Sequence, residues 1–373
     1  MADTKTKLRE LSVGVSFFYK QTQESITPRL FLDVCTSSIG NCGELSIKDV
    51  SNNETKFTGE ESQIISNGFK LGKAIKETFS INTTPTVSWE GFNTHSGKTT
   101  DLTINKLPFS LKEHSDILDN MGLYNLMNMI MNGHTYKRGL HVFENFAPKE
   151  LETWFEITRD LLIKLGPPVF HHTGETYTSS ATINNDVLTL IFQKSGKVAL
   201  TSIITDFSLC DYNHFKKLTK PKTREEAFSK WIKQRVESNP KYLDSKKRCA
   251  EAAGTAIVSI LSQFVGTAPP SMLRLFREDE YYYAKTTRGS VEIYQVPSNK
   301  GLIDPLVIKN IVAKIPAHQL NIYTTIENQT SGKFIEFRNE LRYSHGQFNG
   351  VPEAKFYKAG GDMTALFKLV YSG

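Results

Sequence analysis

Two residues with complementary chemistry, Asp101 and Lys112, bracket a run that alternates apolar and polar side chains: Thr100-Asp101-Leu102-Thr103-Ile104, Asn105-Lys106-Leu107-Pro108 and Phe109-Ser110-Leu111-Lys112-Glu113. Successive side chains of a strand point to opposite faces, so the pattern predicts a β-hairpin with one apolar and one polar face. With Lys106 and Leu107 as the loop residues, Ile104 would oppose Phe109, Leu102 would oppose Leu111, Thr103 would oppose Ser110, and Asp101 would oppose Lys112. That register buries Leu102, Ile104, Phe109 and Leu111 and presents Asp101 and Lys112 side by side. A carboxylate can hold Mg²⁺, which neutralises a scissile phosphate and activates a water, while an ammonium stabilises developing negative charge. In an ordinary surface hairpin the same pair would be an exposed ion pair worth only about 0.2–1 kcal/mol.

Metal sites draw on several oxygen ligands. Further carboxylates stand downstream at Glu113, Asp116 and Asp119, and upstream at Glu60, Glu61 and Glu90. The hairpin resembles the core of the PD-(D/E)xK, or restriction-endonuclease-like, nuclease superfamily, which places an Asp on one strand and an acidic-x-Lys triplet on the next, bracketed by helices. The resemblance covers about residues 60–130. Thr100 precedes the aspartate where the family usually has Pro, and the triplet is Ser110-Leu111-Lys112, with Ser where the acid usually stands.

The resemblance implies a Mg²⁺-dependent endonuclease that hydrolyses DNA phosphodiester bonds, restriction-type and sequence-specific members included. Asp101, Ser110 and Lys112 would be catalytic, and Asp101, Asp116, Glu113 and Glu61 would supply the metal ligands. A homodimer would suit cutting both strands of a palindromic site. The competing reading is a non-catalytic nucleic-acid-binding or viral structural protein in which the hairpin only packs. An RNA substrate satisfies the same residues.

The elements that must position the hairpin follow from the flanking periodicity. Short apolar stretches up to Asp49, such as Val13 to Tyr19 and Leu30 to Val34, read as strands. Helical spacing runs from Gly59 to about Phe79, with an acidic first turn at Glu60 and Glu61. Helical spacing returns from His114 to His134, and again over 148–166. Asn184 to Ile204 reads as two strands, and Thr223 to Ser238 and Leu243 to Phe264 as two helices split at Pro240. Beyond Pro269-Pro270 the chain turns strand-rich, at Glu280 to Thr287, Val291 to Val296, Leu320 to Glu327, Phe334 to Tyr343 and Ala354 to Tyr357. The expected fold is α/β (α+β), a mixed central sheet flanked by helices. Residues 1–268 would be the nuclease-like body and 269–373 a β-rich portion that helps recognise substrate.

Composition is ordinary and globular, with 373 residues and a net charge of +6 from 45 Lys+Arg against 39 Asp+Glu. This mild basic bias suits a polyanionic partner without demanding one. The densest basic stretch includes Lys217, Lys220, Lys222 and Arg224, and a second polar cluster contains Arg338, Arg342 and His345. These seven are the candidate nucleic-acid contacts. The four cysteines form no CxxC pair, which argues against a structural zinc or a disulfide framework and for an intracellular, cytoplasmic setting. No apolar run reads as a signal peptide or a membrane span.

Overall fold

The computed structural model describes residues 4–91, 100–113, 117–119, 123–130, 142–165, 170–173, 177–194, 199–268, 279–287, 289–298, 305–343, 346–349 and 353–373. In chain order, helix α1 (Thr4–Val15), α2 (Pro28–Ser38), strand β1 (Ile39–Gly40), α3 (Ile47–Val50) and α4 (Gly59–Thr78) lead into β2 (Val87–Trp89), β3 (Leu102–Ile104), β4 (Leu107–Glu113) and β5 (Ile117–Asp119). Then follow α5 (Leu123–Ile130), α6 (Val142–Phe146), α7 (Pro148–Leu165), β6 (Phe170–Thr173), β7 (Tyr177–Asn184), β8 (Val187–Lys194) and β9 (Leu200–Ile204). Helices α8 (Tyr212–Leu218), α9 (Pro221–Thr223), α10 (Ser229–Arg235) and α11 (Pro240–Leu261) come next, with a π-helical turn at Arg224–Phe228 between α9 and α10. The remainder is β10 (Tyr281–Thr287), β11 (Ser290–Val296), β12 (Leu306–Lys314), β13 (Asn321–Asn328), β14 (Phe334–Arg342), β15 (Glu353–Gly361) and β16 (Lys368–Ser372).

The expected α+β class holds, with a mixed seven-stranded sheet ordered β1-β2-β3-β4-β10-β11-β16 and a C-terminal portion rich in strands. A five-stranded sheet, β12-β13-β14-β15-β5, and a four-stranded sheet, β6-β7-β8-β9, complete the fold. The chain does not divide at 268/269. Strands β10, β11 and β16 extend the sheet that β1–β4 begin, because β10 pairs parallel with β4 and aligns Ser110 with Tyr283 and Lys112 with Lys285. One face of that sheet packs Ala284, Val291 and Ile293 against the apolar residues of α1, α2 and α4. The other face contributes Tyr283, Tyr294 and Val296 to a second core built from α5–α11 and the five-stranded sheet.

The N-terminal strands expected before Asp49 are helices. Nearly every residue of α1 from Leu8 onward is buried, Glu10 and Ser12 included, so the helix has no polar face to betray its 3.6-residue period. Tertiary burial overrides the strand preference of Val13, Val15 and the aromatic run after them. The start of α2 is conventional: Thr27 caps it, accepting a hydrogen bond from Leu30 N at 3.3 Å, and Pro28 sits in the first turn. Helix α4 lies close along α1 because Gly68 and Gly72 face Ser12 and Ser16, where any Cβ would collide. The helix expected from His114 to His134 is instead β5 followed by α5, as far as the described residues show. The Pro269-Pro270 pair lies outside them.

Candidate active site

The hairpin forms, with a different loop. Asn105 and Lys106 occupy the turn with φ of 48° and 70°, the left-handed pair that matches the twist of two strands joined by two residues. Leu102 therefore pairs with Phe109, Thr103 with Pro108 and Ile104 with Leu107. The expected register placed each β3 residue two positions too far along β4. A shift of two preserves the faces, so Leu102, Ile104, Phe109 and Leu111 are all buried as expected.

The shift brings Asp101 nearest Ser110 and Leu111, with Lys112 one step beyond. The Asp101 backbone carbonyl turns to accept from Glu90 N at 3.0 Å, and its carboxylate replaces that carbonyl as the acceptor for Leu111 N at 2.6 Å. Ser110 Oγ stands 3.5 Å and Lys112 Nζ 3.8 Å from the same oxygen, Asp101 Oδ2. Asp101, Ser110 and Lys112 are thus together, about a quarter exposed at Lys112 and less at Asp101. Among the described residues no donor reaches Asp101 Oδ1.

A residue that the sequence did not flag completes the cluster. Glu10, on α1, is 6% exposed and accepts a hydrogen bond from Trp89 Nε1 at 2.7 Å. Burial first, and the neighbouring Asp101 carboxylate second, push its pKa up to about 8. The Trp89 bond, Lys112 and Arg9 oppose that rise. Room around this carboxylate depends on Gly91, whose added Cβ would run into Glu10 Oε2 and Trp89 Nε1. One sequence signal was available: Glu10 interrupts an otherwise buried helical run between Leu8 and Leu11, a position where an uncompensated charge is costly.

The other proposed ligands are elsewhere. Glu113 alternates onto the opposite face of β4, where Arg9 Nε binds it at 3.0 Å and Asn67 Nδ2 donates to its other oxygen. It ties β4 to α1 and α4, so its role as a metal ligand is corrected to a structural ion pair. Glu61 is also corrected: its carboxylate accepts from Thr58 N at 2.6 Å in the capping box that starts α4. Glu60 is paired with Lys5 at the surface, and the Glu90 carboxylate accepts from Ser88 Oγ. Asp119 ends β5 in the five-stranded sheet. Asp116 lies outside the described residues. Among those described, no group of three or more His, Cys, Asp or Glu side chains converges as a metal site.

The basic candidates separate as well. Arg224 is buried, and its guanidinium donates to the carbonyls of Lys216 and Thr219 at 2.9 and 2.8 Å and to Thr219 Oγ1 at 2.9 Å. It clamps the π-helical turn and presents nothing to a phosphate, which corrects its reading as a nucleic-acid contact. Lys222 is engaged by Glu225 at 2.8 Å and Glu226 at 3.7 Å, whereas Lys217 and Lys220 are exposed. Arg338 and Arg342 stand on β14 in the five-stranded sheet; His345 lies outside the described residues. All four cysteines are free thiols and buried. No helix among the described residues is long and apolar enough to cross a membrane. Comparison with protein-family models, with curated proteins and with solved structures finds no match to this chain.

Proposed function

We propose that this chain is a Mg²⁺-dependent endonuclease acting on DNA, with Asp101, Glu10 and Lys112 as its working groups. The observation that carries the reading is the placing of two carboxylates from separate elements: Asp101 beside the Lys112 ammonium, and Glu10 bonded to Trp89, which pairs with Leu102 next to Asp101. A buried carboxyl that keeps its proton to about pH 8, through its burial first and the Asp101 carboxylate second, suits a divalent cation, which would replace that proton. Asp101 Oδ1 and the Glu10 carboxylate are the oxygens that would hold it. When bound, the ion supplies charge neutralisation at the phosphate and a more acidic water.

The chain's own groups do the rest. Lys112 places a positive charge where the phosphodiester's developing oxyanion would sit, an arrangement worth most where water is partly excluded. The Leu111 amide fixes the Asp101 carboxylate, and the Trp89 indole fixes that of Glu10, so both oxygens are oriented before substrate arrives. Ser110, in the position that would otherwise carry an acid, contributes a hydroxyl 3.5 Å from Asp101 and no charge. Glu10 thereby supplies the second carboxylate that the strand lacks.

The test is incubation of purified protein with plasmid DNA in Mg²⁺ or chelator, beside Asp101→Ala, Glu10→Gln and Lys112→Met. Metal-dependent cleavage lost in all three variants is expected. Intact DNA from several sources, with binding retained, would overturn the reading in favour of a non-catalytic nucleic-acid-binding protein.

A further inference from the structure

The inner face of the five-stranded sheet is apolar and buried, through Ile322, Ile326, Ile335, Phe337 and Leu341. Its outer face has a different composition. Register aligns Val312 with Tyr323, Tyr323 with Arg338, Arg338 with Tyr357 and Tyr357 with Ile117, one row across all five strands. Adjacent strands are about 4.8 Å apart, so Tyr323 and Tyr357 are separated by roughly 10 Å with a guanidinium between them.

Each ring of this row has a cation over it. Lys314 Nζ is 4.3 Å from the Tyr323 centroid, and the Arg338 guanidinium carbon is 4.5 Å from that of Tyr357. Arg342 approaches Tyr357 from the next position along β14, at 5.9 Å. Glu340 lies between the two arginines, 3.1 Å from Arg342 Nε and 3.6 Å from Arg338, and holds both planes in place. The side chains of Arg338 and Arg342 remain 34% and 42% exposed.

We propose that this row is a binding platform for single-stranded DNA, with two bases stacked at Tyr323 and Tyr357 and their phosphates gripped by Arg338 and Arg342. Aromatic faces and arginine planes stack on unpaired bases, whereas a duplex has its base faces already stacked and offers only edges. Charge favours the same occupant. Among the described side chains of this face, Lys309, Lys314, Lys355 and the two arginines outnumber Glu327, Glu336 and Glu340, and with Lys309 and Glu327 paired at 2.8 Å four cations stand against two acids.

The platform is also tethered to the catalytic strand. Strand β5, which closes the row at Ile117, follows β4 directly, so Ile117 comes five positions after Lys112, at most about 18 Å of extended chain. The choice of DNA over RNA rests on the nuclease reading of the Lys112 site; the stacking argument does not.

The experiment is fluorescence anisotropy of a labelled oligo-dT, with oligo-rU and a hairpin duplex as competitors, in chelator so that no cleavage intervenes. Wild type is expected to bind oligo-dT with an affinity that falls as salt rises. Tyr357→Ala and Arg338→Ala should each weaken binding about 5- to 100-fold, the range of one stacked base, and Tyr357→Phe should retain it. Melting curves of each variant verify folding, and Arg338→Gln serves if the alanine variants melt early. Wild type that ignores oligo-dT, or binding unchanged in folded Tyr357 and Arg338 variants, would overturn the platform. Preference for oligo-rU or for the duplex would overturn its assignment to single-stranded DNA. Plasmid cleavage is scored separately. Wild type that binds oligo-dT without cleaving plasmid refutes the nuclease alone, and wild type that cleaves without binding oligo-dT refutes the platform alone.

Discussion

Replacing Glu10 by Gln tests the candidate centre without requiring any activity. The carboxyl rises from an ordinary 4.5 to about 8 in the folded protein, which corresponds to on the order of 5 kcal/mol of folding free energy. Its folded-state pKa is the higher one, so the folded protein keeps this proton after the unfolded chain has lost it. The contribution is therefore fully present below about pH 4.5 and is lost as pH rises to about 8. Glutamine keeps an oxygen for Trp89 Nε1 and has no proton to lose. Urea unfolding from pH 5 to 9 should show wild type losing most of those roughly 5 kcal/mol relative to Glu10→Gln, with the variant the more stable at pH 9. Added Mg²⁺ at pH 8 should restore stability to wild type, by RT ln(1 + [Mg²⁺]/Kd), and leave Glu10→Gln unchanged. Parallel pH profiles for the two proteins would refute the raised pKa of the buried Glu10 carboxyl. A pH difference without any Mg²⁺ effect would refute the ion.

Four more outcomes follow from the same geometry. Lys112→Met should reduce plasmid cleavage about 10²- to 10³-fold, read from initial rates, while the melting temperature stays close to that of wild type. Glu113→Gln should cost roughly 2–4 kcal/mol in urea unfolding, because Arg9 loses a buried partner. Arg224→Ala should be similarly destabilising, by about 2–4 kcal/mol, yet leave the salt dependence of DNA binding unchanged, since its hydrogen bonds tie the π-helical turn to the carbonyls at the end of α8. Lys106→Gly, at φ 70° in the hairpin turn, should raise stability by about 0.5–1 kcal/mol on thermal unfolding.

The hairpin was legible because alternation is a local property. Leu102, Ile104, Phe109 and Leu111 announce one buried face whatever the turn, and Asp101 and Lys112 emerge on the other face in either register. The turn itself was misjudged because Asn105-Lys106 lacks the glycine that usually marks a two-residue loop. Helix α1 and Glu10 were not legible for the opposite reason. An element buried on almost all sides shows no amphipathic period, and the charge on it is explained only by partners 79 and more residues away. Glu113 and Arg224 had the right chemistry for a site, but one alternates onto the wrong face of β4 and the other is enclosed by carbonyls. Among the C-terminal strands, β10, β11, β13, β14 and β15 were found and β12 and β16 were not, while their membership in two different sheets depends on pairings with β4 and β5 that no local pattern encodes.

The parallel pairing of β4 with β10 also sets an order of events during synthesis. The Thr286 hydroxyl that donates to the Lys112 carbonyl is made 174 residues later. At 5–20 residues per second, roughly 10–35 s pass before the strand carrying Lys112 acquires its neighbour. Until then β4 is an unpaired edge, and Asp101 and Lys112 rest on a half-built sheet. The waiting edge is the place where a chaperone or a second nascent chain would first take hold.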